Sequence, residues 1–177
     1  MLETIIKTPP KEYVERPSSK APFRLKGLDH FVIVVPDLVA AERWYVEVMG
    51  ATIVARYNWG GDTEHDVLPH LDVKIGDTLL SIFLDNPGPK QPRLVHHAYG
   101  CRDMVEWDAW HAHVKALGVP TVGPTGHDGF ALVSLHFDDP WGHGLEIVAI
   151  LDAPEAAYQA IEDRDGTITG RVRVAAN

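Results

Sequence analysis

The sequence has almost no cysteine and no long apolar run, and both shortages narrow the class of protein. Its 177 residues include a single cysteine, Cys101, which excludes an internal disulfide. A chain of this kind is typical of a reducing compartment, so we expect a cytoplasmic protein. Apolar runs such as 31–35 and 147–151 are far too short for a membrane-spanning helix. The first residues, MLETIIKTPPKEYVERPSSK, lack the apolar segment and cleavage site of a secretory signal.

Positive charge is also scarce. Lys and Arg together number 16 against 25 for Asp and Glu, a formal net charge of -9, and the basic residues form no cluster. Because an acidic surface repels phosphate backbones and anionic lipids, we expect neither nucleic acid nor membrane as a partner. The sequence also lacks a GxGxxG fingerprint, a phosphate-binding P-loop and a GxSxG nucleophile motif.

What remains is the composition of a folded protein with many histidines. Apolar residues make up 45% and charged residues 23%, as in an ordinary globular chain. The length fits one domain or two small halves that share a core. Ten histidines are present, and their positions in the predicted elements decide which of them are candidate ligands.

The pattern of elements occurs twice along the chain. Residues 28–35 predict a buried strand, Asp37 a helix N-cap and Gly50 the end of that helix, and three strands follow. After the linker NPGPKQP the order returns: a strand, a helix capped by Asp103, and three strands. We therefore predict an α+β fold made of two tandem βαβββ modules. The predicted organisation is an N-terminal extension (1–24), a central domain (25–151) with modules of about 26–86 and 92–151, and a C-terminal tail (152–177) with one short helix.

An alignment of the two halves puts histidines at equivalent positions. LDHFVIVVPDL lies over LVHHAYGCRDM, which matches His30 with His96. The last strand of each module, LLSIF and GLEIV, matches Ser81 with Glu146. An ionised carboxylate on a mostly apolar strand is costly unless it is paired or bound to a metal. We therefore predict that His30, His96 and Glu146 hold one divalent metal.

The types of these ligands limit which metals can bind but do not identify one of them. Two imidazoles and one carboxylate leave open positions, as in non-haem Fe(II) oxygenases. The same donors also suit a catalytic zinc. We favour Fe(II), with Mn(II), Zn(II) and Ni(II) as alternatives.

Four further residues are candidates for catalysis on a bound substrate or for contact with it. His136 lies on the strand before Glu146 and can exchange a proton near neutral pH; the alternative is a half-exposed strand histidine. His70, Ser81 and Trp59 are candidates for substrate contacts in the first module. His97 follows His96 but faces the other way, so we interpret it as a packing or surface residue.

The segments LDHFVIVVPDL, HHAYGCRD and HFDDPWGHGLEIV resemble the vicinal oxygen chelate superfamily over about residues 26–151. This group includes glyoxalase I, fosfomycin- and bleomycin-resistance proteins, methylmalonyl-CoA epimerase and type I extradiol dioxygenases. The resemblance implies a cupped, partly open mixed β-barrel around one metal, with His30, His96 and Glu146 as ligands. Glyoxalase I and the epimerase usually have a fourth ligand where this chain has Ser81. His136 takes the position of a substrate-orienting tyrosine in extradiol dioxygenases.

Three functions are compatible with the sequence. The missing fourth ligand favours an extradiol-type dioxygenase that uses dioxygen on a small catechol-like substrate. The alternative is a glyoxalase-, epimerase- or lyase-like metalloenzyme that stabilises an enediolate. A metal-free ligand-sequestering resistance protein is the third, and the metal trio argues against it. Because the superfamily commonly forms dimers, we also expect a homodimer.

Overall fold

A computed structural model describes residues 28–59, 68–88 and 95–169. The N-terminal extension lies outside these ranges. Among the described residues, no helix is both long and apolar enough to cross a membrane. The elements, in chain order, are β1 (His30–Val35), α1 (Leu38–Met49), β2 (Thr52–Tyr57), β3 (His70–Ile75), β4 (Thr78–Leu84), β5 (His96–Cys101), α2 (Met104–Ala116), β6 (Thr121–His127), β7 (Leu132–Asp138), β8 (Gly144–Ile150), α3 (Pro154–Glu162) and β9 (Thr167–Thr169).

The strands form two separate mixed sheets, one for each module. The first has the order β1-β4-β3-β2 and the second the order β5-β8-β7-β6-β9. In each module the first strand pairs in parallel with the last, and the other pairs within the module are antiparallel. This confirms the two βαβββ modules. The sequence did not predict β9, which extends the second sheet.

Strand register confirms the internal repeat at the level of single residues. In the first module Val32 lies beside Ser81, and in the second Ala98 lies beside Glu146. Val32 and Ala98 are each two residues after the first histidine of their module. Ser81 and Glu146 therefore occupy equivalent places in two equivalent sheets, and only the second module puts a carboxylate there.

The helices begin where the sequence indicated. Asp37 accepts hydrogen bonds from the amides of Val39 and Ala40 through its carboxylate, and Gly50 ends α1 in the left-handed conformation at φ 61. Asp103 accepts from the amide of Glu106 at 2.9 Å and so caps α2. Side-chain caps satisfy amides that have no partner inside a helix and fix where the strand before each helix must end.

Side-chain contacts between residues far apart in sequence join the two modules. The ring of Phe31 on β1 stacks on that of His97 on β5, with 4.2 Å between centroids. The hydroxyl of Tyr45 on α1 donates to the buried carboxylate of Asp139 at 2.8 Å, across 94 positions of sequence. His97 is therefore a packing residue, as the sequence indicated. The contact of His97 with Phe31 sets which face of β1 and which face of β5 are turned toward the other module.

Candidate metal centre

Three side chains of the second module converge at the centre of its sheet: His96, His136 and Glu146. Each offers one ligand atom, and these atoms lie within 4.8 Å of one another. The Nε2 of His96 is 2.9 Å from Oε2 of Glu146, and the Nε2 of His136 is 3.9 Å from Oε1. The two imidazoles thus face different oxygens of the same carboxylate.

Register explains why these three residues meet. Glu146 lies on β8, the strand between β5 and β7, and is directly opposite His136. His96 lies beside Gly144 on the other side. Because alternate residues of a strand share a face, Glu146 and Gly144 point to the same side. A β-carbon at Gly144 would lie 3.0 Å from Cβ of His96, so the glycine gives His96 room beside β8.

Burial makes Glu146 the residue that most needs a cation. Its accessible fraction is 8%, and its only ion-pair partners among the described residues are His96 and His136. No Lys or Arg of the described chain neutralises it. A buried carboxylate in this position costs several kcal/mol unless a positive charge compensates it.

The spacing of the donor atoms fits a divalent ion. Nitrogen and oxygen ligands bind such metals at about 2.0–2.2 Å, so two donors on one ion lie about 3 Å apart. The His96 and Glu146 atoms already have that separation, at 2.9 Å. His136 is farther, at 3.9 Å from the carboxylate. The donor set therefore fits a metal, with His96 and Glu146 as its best-placed pair.

The two histidines of this group, His96 and His136, line a cavity of about 490 Å³. This volume suits a small organic molecule. Its walls combine the two histidines with residues of β6, β7 and β8, including His127, Val122 and Asp138. The sequence did not single out Asp138 or β6 as part of the site.

His30, the third ligand predicted from the repeat, is not part of this group of three residues. It stands at the start of β1, its Nδ1 is 2.9 Å from Oδ2 of Asp29, and its side chain is half exposed. The neighbouring Phe31 stacks on His97, so Phe31 and His97 face each other across the module junction. Alternation along both strands then turns His30 and His96 away from each other. His30 is not among the described donor groups that lie within 4.8 Å of one another, so its assignment as a ligand stays a prediction.

The predicted substrate contacts all lie on the first module. His70 is sandwiched between the rings of Tyr57 and Phe83, at 4.3 and 4.5 Å. Ser81 donates to Oδ1 of Asp72 at 2.7 Å, and Trp59 donates from its indole nitrogen to the carbonyl of His70 at 3.0 Å. Through register His70 and Ser81 share the face of the first sheet that carries His30. Their contact with a substrate stays a prediction.

A second histidine–carboxylate pair near the cavity is structural. The buried Asp139 accepts from Nδ1 of His143 at 2.7 Å and from the Tyr45 hydroxyl at 2.8 Å. It also accepts from the amides of Trp141 and His143. With these four donors Asp139 ties the turn before β8 to α1, and so fixes the entry of the strand that carries Glu146. The sequence analysis did not single out Asp139.

Comparison with known proteins identifies the family of this fold. The model of the Glyoxalase/Bleomycin resistance protein/Dioxygenase superfamily matches residues 27–147. The chain belongs to this superfamily. A search of curated proteins found no significant match.

Solved structures of this superfamily share the fold at low sequence identity. FosX, a genomically encoded fosfomycin resistance protein from Listeria monocytogenes with Mn(II) and sulfate, is 19% identical with a TM-score of 0.59, covering 77% of this chain and 98% of that one. FosX from Mesorhizobium loti is 22% identical with a TM-score of 0.55, covering 73% and 96%. Lactoylglutathione lyase from Agrobacterium tumefaciens is 21% identical with a TM-score of 0.50, covering 71% and 94%. At these identities the likeness shows the fold.

Proposed function

We propose that the protein is a metal-dependent enzyme of the glyoxalase, epimerase or lyase kind, which removes a proton next to a carbonyl of a small oxygen-rich substrate. The observation that carries the proposal is the buried Glu146 with His96 at 2.9 Å and a second imidazole on its other oxygen. His96 and Glu146 would hold the ion. When bound, a divalent metal supplies Lewis acidity that stabilises the negative charge left by proton removal.

His136 is the best candidate for moving the proton. It lies on the wall of the cavity and beside the carboxylate of Glu146. A histidine exchanges protons near neutral pH, which suits a general base that must return its proton to the substrate. In this proposal His136 acts on the substrate, and the ion is held by other residues.

The comparison favours this chemistry over the dioxygenase that the sequence favoured. The similar structures include a lactoylglutathione lyase and a FosX with Mn(II). We therefore propose Mn(II) as the first metal to test, in place of the Fe(II) preferred from the ligand types.

One experiment separates the candidate functions. Metal-free protein is reloaded with Mn(II), Zn(II), Ni(II) or, without oxygen, Fe(II), and is incubated in D₂O with hydroxyacetone or erythrulose. We expect metal-dependent loss of the proton signal next to the carbonyl in NMR spectra, absent in Glu146→Gln. Oxygen uptake with ring cleavage of catechols, and no exchange, would instead establish a dioxygenase. Binding without either reaction would indicate a sequestering protein.

We further propose a homodimer in which each site uses residues of two copies. By strand alternation His30 and His96 point away from each other within one chain. Val32, on the same face as His30, is 50% exposed, and a cavity lies beside His96. A twofold axis that lays the first module of one copy on the second module of the other would bring His30 to Glu146. Such a dimer would also place His70 and Ser81 opposite His136 across the cavity.

Light scattering at micromolar concentration should therefore give the mass of a dimer, and a monomer would contradict the proposal. Complementation tests the shared site directly. His30→Ala and Glu146→Gln should each lose the metal, whereas random mixed dimers regain one intact site. Half the dimers are mixed and each has one of two sites restored, so metal should return to about a quarter of the wild-type content. No recovery in refolded mixtures, with His30→Ala fully loaded on its own, would place the third ligand within one chain.

A further inference from the structure

The C-terminal segment that follows the superfamily match packs directly on the wall of the cavity. Helix α3 buries Ala157 and Ile161 completely, and β9 pairs in parallel with β6. The packing is close, because a β-carbon at Gly126 would lie 2.5 Å from Cδ1 of Ile161. The matched region ends at residue 147, so α3 and β9 lie outside the part of the chain that the family model covers.

Thr169, the last residue of β9, contacts His127, a cavity residue at the end of β6. The hydroxyl of Thr169 is 3.0 Å from the carbonyl oxygen of Gly126 and 2.7 Å from Nδ1 of His127. A carbonyl can only accept, so the single hydroxyl proton points to Gly126. The bond to His127 then requires a proton on its Nδ1. The ring nitrogen left for other partners is Nε2, which accepts hydrogen bonds in the neutral imidazole.

Further contacts fix the turn that carries His127. The amide of Asp128 donates to the carbonyl of Thr169 at 2.9 Å. The hydroxyl of Tyr158 on α3 donates to Oδ1 of Asp128 at 2.8 Å and accepts from the amide of Gly129 at 2.5 Å. Both the ring tautomer and the backbone position of His127 are therefore set by the C-terminal segment.

His127 lines the same cavity as His96 and His136, but it is outside the metal-binding cluster. Among the described residues that line this cavity there is no Lys or Arg. The carboxylate of Asp138 is also part of the lining. At this wall an acceptor nitrogen favours a substrate group that is a hydroxyl or N–H donor over an anionic oxygen.

From this geometry we propose that His127 is a substrate-binding residue whose Nε2 accepts a hydrogen bond from a hydroxyl or N–H of the substrate, away from the reacting carbonyl. Thr169 is the positioning residue that sets its tautomer. The C-terminal segment is thereby part of the active site. This inference rests on the proposed function for its substrate, a polyhydroxylated carbonyl compound.

The tautomer is tested first, in metal-free protein, so that the result does not depend on catalysis. Long-range ¹H–¹⁵N NMR spectra should show His127 with its proton on Nδ1. Thr169→Val keeps the shape of the side chain but removes the hydroxyl, and should give a mixture of tautomers; Thr169→Ser should restore the wild-type form. Thr167→Val is the matched control, because Thr167 lies on the same strand beside Thr125 and should change nothing. An Nε2–H tautomer in wild type would overturn the proposal.

Binding is tested with two probes of the same carbon skeleton, erythrulose and 1-hydroxybutan-2-one, by calorimetry on the Mn(II)-loaded protein. Wild type should bind erythrulose about 3- to 10-fold more tightly, the usual range for one net hydrogen bond. His127→Phe and Thr169→Val should narrow that preference, while Thr169→Ser and Thr167→Val retain it. Equal affinity for both probes, or no binding of erythrulose, would overturn the substrate assignment. Loss of proton exchange with the preference intact would instead count against the proposed function alone.

Discussion

Glu146→Gln should lose its divalent ion while the second sheet stays folded. Glutamine has nearly the same shape but no charge, and in the proposed site the carboxylate would be a ligand and the only acidic group of the cluster. Changing even an outer partner of a metal ligand typically costs about 10- to 100-fold in metal affinity, so removal of the ligand charge should cost more. Elemental analysis after gel filtration measures the metal content, and circular dichroism on heating measures the fold.

The size of the stability change distinguishes a metal site from a structural ion pair. Without metal, the glutamine no longer buries a charge, so the metal-free variant should be at least as stable as the metal-free wild type. Glu42→Gln is the matched control: Glu42 pairs with Arg56 on α1 and β2 and should keep the full metal content. If Glu146→Gln and wild type had equal metal content and the variant had a lower melting temperature, Glu146 would be a structural partner of His96 and not a metal ligand.

The same measurement on the histidines decides the ligand set. His96→Ala should lose the ion in either arrangement. His30→Ala should lose the ion only if a second copy of the chain completes the site. His136→Phe should lose the ion only if all the ligands come from one chain. These two variants therefore give opposite results under the two arrangements, and neither depends on knowing the substrate.

The sequence could predict the modules and Glu146 because both follow from local patterns. Strand periodicity and helix caps define each βαβββ unit. Since the two units repeat, the place of Glu146 on the sheet could be inferred from that of Ser81, and the register confirms it. A carboxylate at one of two equivalent buried positions is a strong signal, because only a compensating charge makes it tolerable.

The sequence could not predict how the two sheets face each other. Alternation tells which residues share a face within a strand, but not which face turns toward the other module. That choice depends on the stacking of Phe31 on His97 and on the bond from Tyr45 to Asp139, two contacts far apart in sequence. For this reason the repeat paired His30 with His96, whereas the fold of one chain separates them.

The contribution of the C-terminal segment was also beyond sequence analysis. The sequence predicted α3, but β9 has only three residues, too few to show a period. Its partner β6 contains two glycines and a proline, residues that are uncommon within strands. The contact between Thr169 and His127 spans 42 positions, so it emerges only from the assembled fold.

His136→Phe should keep the metal and the fold but lose turnover. The ring of His136 packs edge-on against that of His96, with 5.4 Å between centroids, and phenylalanine preserves this packing while it removes both nitrogens. General acid–base catalysis typically contributes about 10²- to 10⁴-fold to rate. We expect kcat to fall by at least the lower value and KM to change little, because proton transfer matters only as charge develops. His111→Phe on α2, which lies outside the cavity lining, should leave both constants unchanged. Unchanged turnover in His136→Phe would make His136 an ordinary strand histidine, and loss of the ion would show that it is a ligand.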